Sequence, residues 1–123
     1  RTAGRFVTAD AAVLDASTGA VVDLRHDVVV GRAPAATPRP GRPSPELLII
    51  TDADKSASKV HCAVRVEDWD LAAEDLGSSN GTFLLRPGRA PRRLAPHSPE
   101  PLAVGDVISL SDAVTLTVED ADE

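Results

Sequence analysis

Three short stretches concentrate side chains that can hold an anion. Gly31-Arg32 closes a β-branched run, Ser56-Ala57-Ser58-Lys59-Val60-His61 leads into another, and Gly77-Ser78-Ser79-Asn80-Gly81-Thr82 is the strongest turn signal in the chain, because Asn-Gly readily takes positive φ angles. Arg32 and Lys59 would supply positive charge, Ser58 and Ser79 hydroxyl donors, and the backbone N–H groups of the turns the rest of a nest. Such a set suits a phosphate monoester, which offers three strong acceptor oxygens and nearly two negative charges. Each charge-assisted hydrogen bond to it contributes roughly 1.5 to 3 kcal/mol. Taken singly these residues are ordinary, since Ser and Asn cap turns for structural reasons and a strand-end Arg is usually solvated. They become a site only if the three stretches meet at one edge of the fold.

The intervening sequence predicts strands that could bring them there. From Phe6 to Val13 the pattern alternates, with Val7, Ala9, Ala11 and Val13 expected on one face. Ser17-Thr18-Gly19 breaks it, Val21 to Leu24 resumes it, and Val28 to Val30 follows, which reads as a meander of short strands. Residues 33–45 hold five of the ten prolines and almost no large apolar side chain, so they form a loop. Leu47 to Ile50 returns to strand composition. Val60, Cys62, Val64 and Val66 then alternate with His61, Ala63, Arg65 and Glu67, which turns Cys62 inward with the valines. Glu67-Asp68 reads as a turn into Trp69, Leu71 and Ala73. Thr82 to Leu85, a short piece at Arg92 to Leu94, Val107 to Leu110, and Val114 to Val118 complete the set before an acidic tail at 119–123. Ten or eleven short strands, turn signals every eight to twelve residues and no amphipathic helix of useful length predict an all-β sandwich or barrel.

Composition excludes several other functions. At 123 residues the chain suits a single domain. With 42% hydrophobic and 26% charged residues it should fold. Aromatic residues are only 2%, too few for base stacking or a methyl-lysine cage, and the net charge of −6 repels a phosphate backbone at long range. Nucleic acid is therefore not expected as a partner. The longest aliphatic run, Leu47 to Ile50, cannot insert into a membrane, and no signal stretch opens the chain, so a soluble, cytoplasmic piece is expected. A lone Cys62 offers neither a disulfide nor a Cys-based zinc site. It lies next to His61, but strand alternation puts the two side chains on opposite faces and argues against a thiol nucleophile. No Gly-x-Ser-x-Gly elbow is present, so no catalytic residue, metal or cofactor is assigned. The chain opens at Arg1 and contains no Met, which reads as a segment of a longer polypeptide. Its excess of Arg over Lys with abundant Ala and Pro suggests a GC-rich bacterial source.

The order Gly31-Arg32, Ser58-Lys59-Val60-His61, Asp75-Leu76-Gly77-Ser78-Ser79-Asn80-Gly81-Thr82, then Leu102 to Asp106 and Val107-Ile108 resembles the forkhead-associated (FHA) domain across nearly the whole chain. The resemblance implies an eleven-stranded β-sandwich of the FHA/SMAD-like type, with a core over about residues 5–119, whose apical loops grip a phosphothreonine peptide. Arg32 would contact the phosphate or nearby peptide, Ser58 would hydrogen-bond a phosphate oxygen with Lys59 beside it, and Asn80 would bond the ligand's main chain with Ser79 close by. Gly31, His61 and Gly81 would support the loops. The sequence departs from the family in two places. Lys59 stands where Arg is usual, keeping the charge without the planar fork, and the loop at 33–45 is an unusually long, proline-rich insertion. The expected partner is a phosphothreonine-containing protein, or another part of the same chain, downstream of a serine/threonine kinase. The alternative is an interaction module that ignores phosphate.

Overall fold

The computed structural model describes residues 12–35, 40–41, 43–51, 56–67 and 70–120. The expected strand residues Phe6 to Ala11, Trp69 and the Glu67-Asp68 turn at Asp68 lie outside them. Eleven strands form two sheets. They are β1 (Ala12–Ala16), β2 (Val21–Asp23), β3 (Val28–Gly31), β4 (Glu46–Ile49), β5 (Cys62–Glu67), β6 (Asp70–Asp75), β7 (Phe83–Leu85), β8 (Arg92–Arg93), β9 (Glu100–Pro101), β10 (Val107–Ser109) and β11 (Thr115–Asp120). One sheet has the order β2-β1-β11-β10-β7-β8 and the other β4-β3-β5-β6-β9. The fold is an all-β sandwich.

Strand alternation fills the space between the sheets. Leu14, Leu84, Ile108, Leu116 and Val118 from the first sheet meet Val28, Val30, Cys62 and Val64 from the second, all almost fully buried. Cys62 points inward as the alternation predicts, and its burial, with the Asp75 charge adding to it, pushes the thiol pKa up and keeps it unreactive. In β1 the parity differs from expectation. Ala12, Leu14 and Ala16 are buried while Val13 is only partly so, because the pairing Leu14↔Val118 turns that set inward. The acidic Glu119 and Asp120, expected in a tail, extend β11, where they pair with Val13 and Ala12.

Two topological features position the loops. The expected meander stops after β2, because buried Leu24 and Asp27 carry the chain across the sandwich and β3 joins the other sheet. There β3 and β4 run parallel. Parallel neighbours require a long return connection, and the chain between Gly31 and Glu46 makes it, although residues 36–39 and 42 of the expected 33–45 loop lie outside the described residues. The first residue of this connection, Arg32, consequently sits at the end of β3 beside the segment that leads into β5. The short β9 was not expected from sequence: two residues, paired through Ala72↔Pro101 and Ala73↔Glu100, are too few to show a period.

Candidate functional site

The three polar stretches do meet. The N–H of Arg32 donates to Ser58 O (3.2 Å) and that of Ala33 to Lys59 O (3.0 Å), which ties the end of β3 to the β4–β5 loop. The β6–β7 turn closes on the same loop. Ser79 N–H donates to Ser58 Oγ at 2.9 Å, and Asn80 Nδ2 donates to Ser56 O at 2.8 Å. Arg32, Ser58, Ser79 and Asn80 thus lie on three neighbouring segments far apart in sequence.

Gly31 makes the approach possible. A Cβ built there would fall 1.9 Å from Lys59 O, so no other residue fits without moving backbone. His61 is buried and holds the loop from below. Its Nδ1 accepts the Ser58 N–H (3.0 Å), so Nε2 carries the ring proton and donates to Gly81 O at 2.9 Å. One imidazole therefore joins the second and third loops. Gly81 has φ +91°, a backbone conformation that favours glycine, and lies close to the Arg93 guanidinium, which in turn lies over the Phe83 ring. In the Asn-Gly turn it is this glycine, and not Asn80, that takes the positive φ.

Three of the turn N–H groups expected to complete a nest are already spent inside the protein. The N–H groups of Gly77 and Ser78 donate to Asp75 Oδ2 at 3.0 and 3.2 Å, and that of Ser79 is taken by Ser58. Asp75 also accepts hydrogen bonds from Ser78 Oγ and, at 2.6 Å, from Thr82 Oγ1. Burial by itself would raise the Asp75 pKa, but these bonds from Ser78, Thr82 and Gly77 outweigh it and hold the carboxyl below its ordinary value. Asp75 and Thr82 therefore shape the turn, a role that sequence reading missed. The signal was present in an Asp followed two and three residues later by Gly and Ser, the pattern of a carboxylate accepting from its own turn.

Side chains supply further donors. Arg32 Nε donates to Ala57 O at 2.6 Å, which fixes the guanidinium plane and leaves its two terminal amino groups. Ser58 Oγ accepts from Ser79, so its own proton is left to donate. Lys59 is exposed, and among the described residues neither it nor Arg32 makes an ion pair. Two cations and two serine hydroxyls thus gather where the three loops join. No group of His, Cys, Asp or Glu able to hold a metal occurs among the described residues.

The FHA domain family matches residues 28–111, and the chain belongs to that family. The matched span contains every site residue named above. Among solved structures, the chain is similar to the FHA domain of an Arabidopsis thaliana hypothetical protein, with 25% identity over 98% of this chain and 92% of that one and a TM-score of 0.64. It is also similar to the MEK1 FHA domain in complex with a HOP1 phosphothreonine peptide, with 26% identity, 89% and 95% coverage and a TM-score of 0.59. The FHA domain of human APLF, in complex with an XRCC1 bisphosphopeptide, shares the fold at 21% identity, 89% and 98% coverage and a TM-score of 0.65. No curated protein matches the chain. FHA domains are binding modules, and proteins similar to this one are seen holding phosphopeptides.

Proposed function

We propose that this domain binds phosphothreonine in a partner protein, or elsewhere in its own chain, and so reads the output of a serine/threonine kinase. The observation that carries this reading is the junction at Ser58, whose hydroxyl and backbone are gripped by both neighbouring loops while two cations without an ion pair among the described residues stand beside it. In this reading the Arg32 amino groups and Lys59 neutralise the phosphate, Ser58 donates to one of its oxygens, and Ser79 lies alongside. Asn80, whose Nδ2 is partly committed to Ser56 O, offers its Oδ1 to a peptide N–H. Binding of this kind requires no cofactor. The protein's acidity does not oppose it, because charges beyond roughly 8 Å are largely screened at physiological salt.

Calorimetry with matched phosphorylated and plain threonine peptides tests the reading. The phosphorylated form should bind at least about tenfold more tightly, which corresponds to one charge-assisted hydrogen bond. Arg32→Ala and Ser58→Ala should each remove that advantage while the domain stays folded, at a cost of about 1 kcal/mol for the loop hydrogen bond each loses. Equal affinity for both peptides would end the proposal. It would favour a phosphate-independent module instead, for which the exposed Leu47 and Ile49 on edge strand β4 offer apolar surface.

A further inference from the structure

A cavity of about 250 Å³ opens beside Asn80, at the flank of the loop junction. Ser56 and Asn80, the hydrogen-bonded pair that joins two of the site loops, contribute to its lining. The rest comes from Phe83 and from the end of β10 and the turn that follows, a region absent from every motif noticed in the sequence. That turn is internally braced. Ser111 Oγ accepts the N–H groups of Ala113 (3.3 Å) and Val114 (3.2 Å), Ser109 Oγ donates to Ser111 O (3.3 Å), and Leu110 N–H donates to Val114 O (3.0 Å).

The turn carries Asp112 into the lining, where it is the one charged side chain among the described residues. Asp112 is exposed and makes no ion pair or hydrogen bond among the described residues. Phe83 and Leu110 supply apolar surface in the same cavity. Arg93, which lies over the Phe83 ring, is not part of the lining. An unpaired carboxylate beside apolar side chains and hydroxyls fits a group with an aliphatic stem and a cationic head, which is to say Lys or Arg.

From this we infer that the domain selects phosphothreonine peptides with a basic residue to one side of the phosphothreonine, and that Asp112 sets the preference. The inference rests on the phosphothreonine reading of the neighbouring loops. It gives the ligand a polarity that mirrors the protein, with the phosphate against Arg32 and Lys59 and the basic side chain against Asp112. In an extended peptide a residue two to four positions away lies roughly 7 to 13 Å from the phosphothreonine, so those positions are the ones to vary.

Fluorescence anisotropy with labelled phosphothreonine peptides provides the test. Each peptide carries Lys, Ala or Glu at one position two, three or four residues before or after the phosphothreonine, and an unphosphorylated copy of each is included. The wild-type domain should prefer Lys over Glu by roughly fivefold at a position on one side only, the scale of an exposed ion pair. Asp112→Asn should remove that preference, and Asp112→Lys should reverse it in favour of Glu. Retention of the preference in Asp112→Asn, or its absence from the wild type, overturns the inference while tight binding of the phosphorylated forms leaves the phosphothreonine reading standing. If phosphorylated and plain copies bind alike, both fall together.

Discussion

The described cations of this domain occur in two settings, and the contrast bears on where an anion would be attracted. At the loop junction Arg32 is held by a backbone carbonyl and Lys59 stands exposed, with no carboxylate paired to either among the described residues. Elsewhere among the described residues, three arginines are already neutralised by carboxylates. Arg65 lies between Glu74 (2.9 Å) and Asp27 (3.4 Å), Arg86 meets Asp106 at 3.2 Å, and Arg92 meets Glu100 at 3.3 Å. The run Arg86, Arg89, Arg92, Arg93 looks more basic in sequence than the junction does, yet two of its members are committed to acids and a third lies over an aromatic ring. A cation attracts an outside anion in proportion to the charge its own protein leaves uncancelled. A count of basic residues therefore favours the Arg86 to Arg93 run, whereas pairing discounts Arg86 and Arg92 and leaves Arg32 and Lys59 without a carboxylate among the described residues.

The contrast breaks most readily at Gly31. The junction exists only because β3 lies against the Lys59 carbonyl, so Gly31→Ala should cost on the order of 3 kcal/mol by forcing backbone apart, and it should take phosphopeptide binding with it. Urea denaturation measures the first, and an unchanged midpoint would show that the loops can separate without penalty. Asp75 sharpens the contrast from another direction, as an acid stabilised by hydroxyls and N–H groups where Asp106 uses an arginine. Asp75→Asn should cost about 2 kcal/mol at neutral pH, since the bonds to a charged group are lost.

Because folding lowers the Asp75 pKa, its contribution is complete above the ordinary carboxylate value of 3.8 and fades as pH falls through the lower, folded value. The stability difference between wild type and Asp75→Asn should accordingly shrink below about pH 4 in denaturation curves taken across that range. A difference that stays constant into strong acid would assign the effect to shape and not to charge.

The paired arginines should give the smallest effects. Arg86→Ala leaves Asp106 buried with, among the described residues, the Ala103 N–H as its remaining side-chain partner, and should cost about 1 kcal/mol, discounted for the partial exposure of the arginine. Arg92→Ala, in an exposed pair, should stay within about 0.5 kcal/mol. Neither should alter phosphopeptide affinity. A loss of binding in either variant, followed by calorimetry, would place the peptide across the hairpin of β7 and β8 and erase the distinction between the two sets of cations.

Particular residues show which parts of this were legible beforehand. The alternation through Cys62, Val64 and Val66 was readable because one face of β5 packs into the core and valine tolerates little else there. The same reasoning misplaced Val13, because in a run of small apolar residues the period is visible but its phase is set by which residue meets Val118 across the ladder. His61 was assigned a supporting role from the resemblance, and its two hydrogen bonds supply the physical basis. The N–H groups of Gly77, Ser78 and Ser79 were offered to an anion and turn out to be spent on Asp75 and Ser58. Nothing in a linear string reveals whether a donor faces outward or is already satisfied.

By itself the amino-acid sequence determined the strand-forming character of the chain, the positions of its turns and the kinds of side chain available at each, since these depend on neighbours within a few residues. Only the tertiary structure decided that β4 would run parallel to β3, that Ser58 would stand between Arg32 and Ser79, and that Asp112 would share a cavity with Asn80. Those relations join residues tens of positions apart. They are settled by sheet pairing and by which charges cancel one another in space, and neither can be read locally.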